Sequence, residues 1–323
     1  MRKLVPTWML TSLFLCTLST APVAATAQTP EAQKAVLVTG ASSGIGRKIT
    51  EVLAANGHFV YAGARKDKDL AELNKLDNVE AVRLDVTVQA DIDAAVARIT
   101  EAGRGLHGVV NNAGVAVFSP MNETPEKDID FVFDVNIYGP YRINKAFTPL
   151  LIESKGRTTT IGSISGFISG ARSGTYSMSK FAIEAYTDAL AAEMTESGIH
   201  VSVIEPGGYK SKIREKVVMH MIGKKPGETG ELTEEEQQRL AQIKERNAGL
   251  KEPDEVAEAA LHAMFAEKPK RRYMVAPNQE EAEATIRAAL TRVAQLNADQ
   301  PYSYSLEELT KMLEEAMAPP ETP

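Results

Sequence analysis

The chain has 323 residues, 43% of them hydrophobic, and a net charge of −7, the make-up of a soluble globular protein rather than a disordered one. The acidic balance, with no basic stripe interleaved with aromatics, argues against nucleic acid as a partner. The 5 histidines are scattered and no cysteine or carboxylate cluster stands at ligand spacing, which argues against a metal site.

At the start of the chain, Arg2 and Lys3 precede an apolar core that runs to Leu18, and small residues end in Ala25-Thr26-Ala27 before Gln28. This is the charged, apolar and small-residue order of a secretory signal peptide, so residues 1–27 are expected to direct export to the periplasm or beyond. Left uncleaved, the segment would leave a cytoplasmic or membrane-anchored protein. Pro6 and the short apolar run argue against a stable membrane span. The sole cysteine, Cys16, falls inside the segment, so the mature chain would suit an oxidising compartment.

Residues 35–39 are a short β-leaning run that feeds into Thr39-Gly40-Ala41-Ser42-Ser43-Gly44-Ile45-Gly46. A helical stretch follows over 47–56, with Ile49, Val52 and Leu53 on one side and Gly57 as its stop, and then a strand over 59–62. Strand, glycine-rich turn, helix and strand form the unit that sets a pyrophosphate on a helix N-terminus. One glycine makes the turn and two allow close approach, so Gly40, Ser42, Ser43, Gly44, Ile45 and Gly46 are candidate cofactor contacts. The second strand ends Ala62-Gly63-Ala64-Arg65-Lys66, with no acid before Asp67. An acid there would accept ribose hydroxyls and repel a phosphate, whereas Arg65 can fork onto one. NADP is therefore expected in preference to NAD.

Strand and helix keep alternating: strands over 79–84, 108–111, 157–161, 199–204 and 273–276, with helices over 88–102, 125–152 and 175–197. Such alternation implies a Rossmann-type, doubly wound parallel sheet with helices on both faces, one α/β domain over 28–276. Ligands bind outside the carboxyl ends of such strands, where Asn111, Ser163 and Pro206 fall. The helix over 175–197 carries Tyr176 and Lys180. Four apart, they share one face, so the ammonium can sit beneath the phenol. A tyrosine ordinarily titrates near pH 10, and a fixed positive charge beside it favours the phenolate. Such a group can trade a proton with an alcohol or a ketone.

Residues 209–250 are long and charged, with an apolar patch at Val217, Val218, Met219, Met221 and Ile222. Beyond them lies a C-terminal extension, 277–323, with helical stretches over 280–296 and 306–317 and a proline-rich end that frays.

With the glycine turn and the Tyr/Lys pair in hand, the chain resembles the short-chain dehydrogenase/reductase family over about residues 34–275. The resemblance also rests on Leu84-Asp85-Val86-Thr87, Asn111-Asn112-Ala113-Gly114, Asn136, Ser163 and Pro206-Gly207, in family order. It implies an NADP-dependent oxidoreductase that moves a hydride between a nicotinamide and a carbinol or carbonyl carbon. By resemblance, Tyr176 is the general acid/base, Lys180 lowers its pKa and holds the nicotinamide ribose, Ser163 holds the substrate oxygen, and Asn136 positions a relay water. Asp85 and Val86 would meet the adenine. Asn112, Ala113 and Gly114 would border the cofactor, as would Asn111, whose side chain also ties the central strands. Pro206, Gly207 and Ser211 would face the nicotinamide, Ser211 standing where the family usually has Thr. In the family the region after the sixth strand covers the substrate, so its patch is either an apolar face to the substrate or a surface helix packed on the core. Val115–Phe118, 166–172 and 208–221 are largely apolar or small, which points to a hydrophobic alcohol, ketone or aldehyde, with Phe167, Ile168 and Met219 as contacts. The helices over 125–152 and 175–197 imply a homodimer or homotetramer. Same-fold alternatives are a dehydratase or epimerase, and outside catalysis an NADP-binding sensor.

Overall fold

In a computed structural model of the chain, residues 33–223 and 232–318 are described. The segment read as a signal peptide and the proline-rich end lie outside the described residues. Among those residues no helix is long and apolar enough to cross a membrane.

Seven strands form one sheet: β1 (Ala35–Val38), β2 (Phe59–Ala64), β3 (Val79–Arg83), β4 (Gly108–Asn111), β5 (Arg157–Ile161), β6 (His200–Pro206) and β7 (Arg272–Val275). Their spatial order is β3-β2-β1-β4-β5-β6-β7, and every pair is parallel. Parallel strands need crossovers, and the helices supply them on both faces. Alternation along β1 sends Val36 and Val38 to one face and Ala35 and Leu37 to the other. The first face is closed by α1 (Gly44–Ala55) and α9 (Asp254–Phe265), with Ile49, Leu53, Val256 and Ala260 buried between them and the sheet. The second is closed by α3 (Gln89–Glu101) and α5 (Gly139–Ser154) through Ile92, Ile99, Ile143, Phe147 and Leu151. Each such aliphatic side chain, fully buried, contributes about 1.5–3 kcal/mol. The order reverses between β1 and β4, and the crevice this opens lies at the carboxyl ends of those strands.

The strands expected from the sequence are all present, within two residues at each end. The long helix expected over 125–152 is not continuous. It is α4 (Glu126–Phe133), a π turn over Asp134–Tyr138, and then α5. Gly139 and Pro140 follow the π turn. A Cβ on Gly139 would stand 2.8 Å from Val86 Cγ2, and Pro140 has no N–H for the helical ladder. The chain re-enters the helix there one residue out of step, which turns Asn136 inward. Three helices had no counterpart in the sequence reading, α2 (Asp67–Leu73), α8 (Glu234–Ala248) and α9.

Between β6 and α9 stand α7 (Ile213–Met221) and α8 (Glu234–Ala248), the latter opened by a capping box of Thr233 and Glu236. Val217, Val218 and Met219 are buried, while Met221 is exposed. The His220 ring stacks on Phe131 at 4.7 Å and its Nε2 meets Asp128 Oδ1 at 3.0 Å. Helix α7 is thus packed on the core near α4. The C-terminal extension consists of α10 (Gln279–Asn297) and α11 (Leu306–Met317).

Candidate active site

Gly40 and Gly44 take positive φ, 66° and 59°, which an L side chain adopts only with strain. Gly46 has no room for a side chain: its Cβ would overlap Asn112 Nδ2 and stand 2.6 Å from Gly40 O. Asn112 is tied to the turn, its Nδ2 donating to Thr39 O at 2.8 Å, while Thr39 Oγ1 accepts the Asn112 and Ala113 N–H groups at 3.0 Å each. At the start of α1, Ser43 makes no capping bond and the first turn holds no acid. Its amides and dipole are therefore open to an anion. Close backbone packing, two left-handed glycines and an acid-free helix end fit a dinucleotide pyrophosphate, with Ser42, Ser43 and Ile45 half-buried beside it.

Asn111 is the last residue of β4, and its carboxamide is turned away from that turn. Its Nδ2 donates to Asn144 Oδ1 at 3.0 Å and to Thr158 Oγ1 at 3.3 Å. It ties β4 to β5 and α5, as one half of its expected role required. The side chain that meets the glycine turn is that of the next residue, Asn112.

At the end of β2, Arg65 Nη1 pairs with Asp85 Oδ2 at 3.1 Å. Burial alone would raise the Asp85 carboxyl, but the Thr87 N–H and hydroxyl and the Arg65 guanidinium hold it below the ordinary carboxylate range. Val86 is buried against Gly139. Lys216 of α7 faces the same corner: burial, then the charges of Arg65 and Lys212, push its ammonium below the usual lysine value.

Ser163, Tyr176 and Lys180 converge where β5 and β6 end. Helix α6 (Gly174–Met194) carries Tyr176 and Lys180, and Ser163 opens the turn after β5. Ser163 Oγ accepts the Ser165 N–H at 3.1 Å, reaches Pro206 O at 3.4 Å, and faces the Tyr176 phenol closely enough to favour its ionised form. Lys180 Nζ lies 5.7 Å from the Tyr176 ring centroid and donates to Ile161 O at 2.7 Å. Burial pushes the lysine down to about 8, and the Glu184 carboxylate pulls it back up. The phenol does not follow the sequence expectation. Burial holds Tyr176 above its ordinary value, with only the Ser163 hydroxyl acting against it. The ammonium is turned toward a carbonyl, so desolvation of the phenol wins.

Asn136 Oδ1 accepts the Val115 N–H, and its Nδ2 donates to Val115 O, each at 2.9 Å, and to Ser179 Oγ at 3.0 Å. The carboxamide thus fixes the stretch after Gly114 against α6. Phe118 sets its edge on Tyr176, 6.1 Å between centroids. Ser211 crosses the glycine turn, where a Cβ on Gly44 would stand 3.2 Å from Ser211 Cβ, and Asn247 Oδ1 accepts its N–H at 3.2 Å. Pro206 ends β6, and Gly207 and Gly208 pass beneath Glu281 of α10.

Sequence reading missed a buried acidic cluster behind the lysine. Glu184 and Glu205 both pair with Arg272, whose Nη2 also meets Asp188 Oδ2 at 2.7 Å. Glu184 stands four residues after Lys180, a helical neighbour that spacing alone could have flagged. Among the described residues no group of three or more His, Cys, Asp or Glu could hold a metal.

The short chain dehydrogenase family model matches residues 34–221. D-beta-hydroxybutyrate dehydrogenase, mitochondrial, from Bos taurus is 35% identical over 190 residues, 56% of this chain and 55% of its own. The chain thus spans about half the length of that relative. The NADPH-dependent 3-dehydrocapnine reductase of Ornithobacterium rhinotracheale is 31% identical over 284 residues, 85% of this chain and 98% of its own. Among solved structures, a short-chain dehydrogenase from Streptomyces avermitilis superposes with a TM-score of 0.66 at 28% identity, covering 84% of this chain and all of that one.

Proposed function

The chain belongs to the short-chain dehydrogenase family and is an NAD(P)-dependent oxidoreductase, and from that premise we propose that it interconverts a hydrophobic secondary alcohol and its carbonyl compound with NADP. The observation that carries the proposal is the convergence of Ser163, Tyr176 and Lys180 at the strand ends beside the glycine turn.

Held at this site, a nicotinamide would supply or accept the hydride at the substrate carbon. Tyr176 moves the proton: in the reductive direction its phenol gives the proton to the carbonyl oxygen as that oxygen gains charge, and in the oxidative direction the phenolate takes it back. Ser163 Oγ, which faces the phenol, would hold the substrate oxygen. Lys180, mostly charged at neutral pH with a pKa of about 8, would stabilise the phenolate as it forms and hold the ribose hydroxyls. A phenol held above its ordinary value keeps its proton at neutral pH, so Lys180 is needed to stabilise the phenolate as the proton leaves. The Asn136 carboxamide is engaged by Val115 and Ser179, so a relay water would fall to its main chain.

The glycine turn and the start of α1 would hold the pyrophosphate, with Asn112, Ala113 and Gly114 on one side and Pro206, Gly207 and Ser211 on the other. Asp85 and Val86 would border the adenine. Arg65, with Lys216 and Lys212 near it, supports a 2′-phosphate, as does the NADPH dependence in the name of the Ornithobacterium relative. Phe118 against Tyr176 supports an apolar substrate. Exposed Tyr138, Tyr141 and Met178 on the faces of the 125–152 segment and α6 support a homodimer or homotetramer. The charged, apolar and small-residue order of residues 1–27 supports export.

The test is binding of NADPH against NADH to residues 28–323, with Arg65→Asp alongside. Tight NADPH binding that shifts toward NADH in the variant is expected. Binding of neither cofactor overturns the proposal.

A further inference from the structure

The C-terminal extension lies outside the stretch matched by the family model, yet one of its residues reaches the loop that flanks the site. Beyond β6 the chain runs Pro206-Gly207-Gly208-Tyr209. Pro206 O is 3.4 Å from Ser163 Oγ. Two residues on, Gly208 N–H donates to Glu281 Oε2 at 2.6 Å, a short, charge-assisted bond. The Glu281 carboxylate also fills the space beside Gly207: a Cβ there would overlap Oε2 and stand 2.7 Å from Pro277 Cδ. At Gly208 a Cβ would meet Oε1 at 3.0 Å. Both glycines are thus shaped to receive this carboxylate.

Glu281 is itself held rigidly. Asn278 caps α10 by accepting the Glu281 N–H at 2.9 Å, and its Nδ2 reaches Glu281 Oε1 at 3.3 Å. Further along α10, Thr285 is buried, its hydroxyl donating to Glu281 O at 2.8 Å. The extension therefore presents one fixed anion to the backbone of the loop between Ser163 and Ser211.

We propose that Glu281 is a positioning residue for cofactor binding: the C-terminal extension clamps the 206–209 loop through it and so fixes the wall of the nicotinamide site. The proposal rests on the cofactor reading above. An isolated loop of two adjacent glycines carries the largest backbone entropy, and a charge-assisted bond to Gly208 removes it before the cofactor arrives.

The test compares wild type, Glu281→Ala, Glu281→Gln and, as a control on the exposed side of the same helix, Glu283→Ala. Two readouts are taken: NADPH binding by titration, and amide hydrogen exchange of a peptide spanning 204–212. Glu281→Ala is expected to weaken NADPH binding about tenfold and to speed exchange of that peptide. Glu281→Gln, which keeps an acceptor oxygen, should recover most of both, and Glu283→Ala should match wild type. If wild type binds NADPH and Glu281→Ala binds it within twofold, with unchanged exchange, the clamp is overturned. If faster exchange leaves binding unchanged, the role is structural only and the proposal is likewise overturned. If wild type binds no cofactor, the reading beneath it fails, while the exchange data still report whether the clamp exists.

Discussion

Lys180 Nζ lies 5.7 Å from the Tyr176 ring centroid but donates to the Ile161 carbonyl at 2.7 Å, so the cation is anchored beneath the phenol without touching it. Its desolvated ammonium titrates at about 8. Because the charged lysine stabilises the phenolate that forms in reduction, activity should be lost as the pH rises through about 8. A profile of kcat/KM for carbonyl reduction checks this, and a flat profile to pH 9.5 would contradict it. Tyr176→Phe should lower kcat by about 10²–10⁴-fold, the usual worth of a positioned proton donor.

Glu184 pulls the Lys180 pKa upward from four residues along α6. Removing that carboxylate should let burial push the lysine lower. Glu184→Gln is therefore expected to move the alkaline limb to lower pH while leaving the acid-side plateau within a few-fold. An unmoved limb would show that Glu184 is neutral when it faces the lysine.

Glu205 is almost wholly buried, and burial together with the Glu184 carboxylate raises it to about 7, against which Arg272 works. Its folded pKa lies above the unfolded value near 4.5, so the folded state holds an extra proton between these limits. The stability it contributes is full below about pH 4.5 and is lost as pH rises through 7. Glu205→Gln cannot ionise and should escape that loss. The melting temperature of the variant relative to wild type should therefore rise between pH 5 and pH 8, by the equivalent of about 1–3 kcal/mol. Parallel curves would mean the carboxyl stays in one protonation state throughout.

Much of this site was legible in the sequence because it depends on spacing. A G-x-x-x-G-x-G turn after a strand, and a tyrosine four residues before a lysine on a helix, fix local geometry by themselves. The strands were legible too, β1, β2 and β4 as apolar runs and the polar β5, Arg-Thr-Thr-Thr-Ile, by its β-branched residues. The π turn was not: the residues over 126–154 keep helical periodicity on either side of it, and the added residue shows only in packing against Val86. Helix α9 escaped because its buried face is mostly alanine, as in Ala257, Ala260 and Ala263, which gives little hydrophobic contrast. The roles of Asn111 and Asn112 were only half separable, since adjacent residues at a strand end point to opposite faces and nothing in an Asn-Asn pair says which faces the turn. Glu281 and Arg272 act across 73 and 67 residues of chain, on Gly208 and Glu205, and no periodic signal marks such contacts.

Gly46 tests the glycine turn directly. Its Cβ would overlap the Asn112 carboxamide that ties the turn to the end of β4 and stand 2.6 Å from Gly40 O. Gly46→Ala should cost about 1–3 kcal/mol of stability through overpacking and weaken cofactor binding further by displacing Asn112. Gly103→Ala, at a positive φ of 66° with nothing near its Cβ, should cost about 1 kcal/mol and leave cofactor binding unchanged. Denaturant melts and cofactor titration on both variants check the contrast; equal cofactor binding would show that the turn relaxes around the methyl group.

Lys216 of α7 bears on the end of β2. It is half-buried on α7, and Arg65, Lys212 and Lys66 all bear on it with like charge, while Asp69 opposes them. Crowding cations around a desolvated ammonium is unfavourable unless an anion offsets it, and a 2′-phosphate at the end of β2 would be such an anion. Arg65 alone is poorly suited to the task, since Asp85 already takes one of its nitrogens at 3.1 Å. Lys216→Met keeps the packed stem and removes only the charge. It should weaken NADPH binding about tenfold, the worth of one charge-assisted hydrogen bond, and leave NADH binding within twofold. The loss should shrink in high salt, because α7 is near the surface. Equal losses for the two cofactors would instead mean that Lys216 holds the cover in place without reading the phosphate.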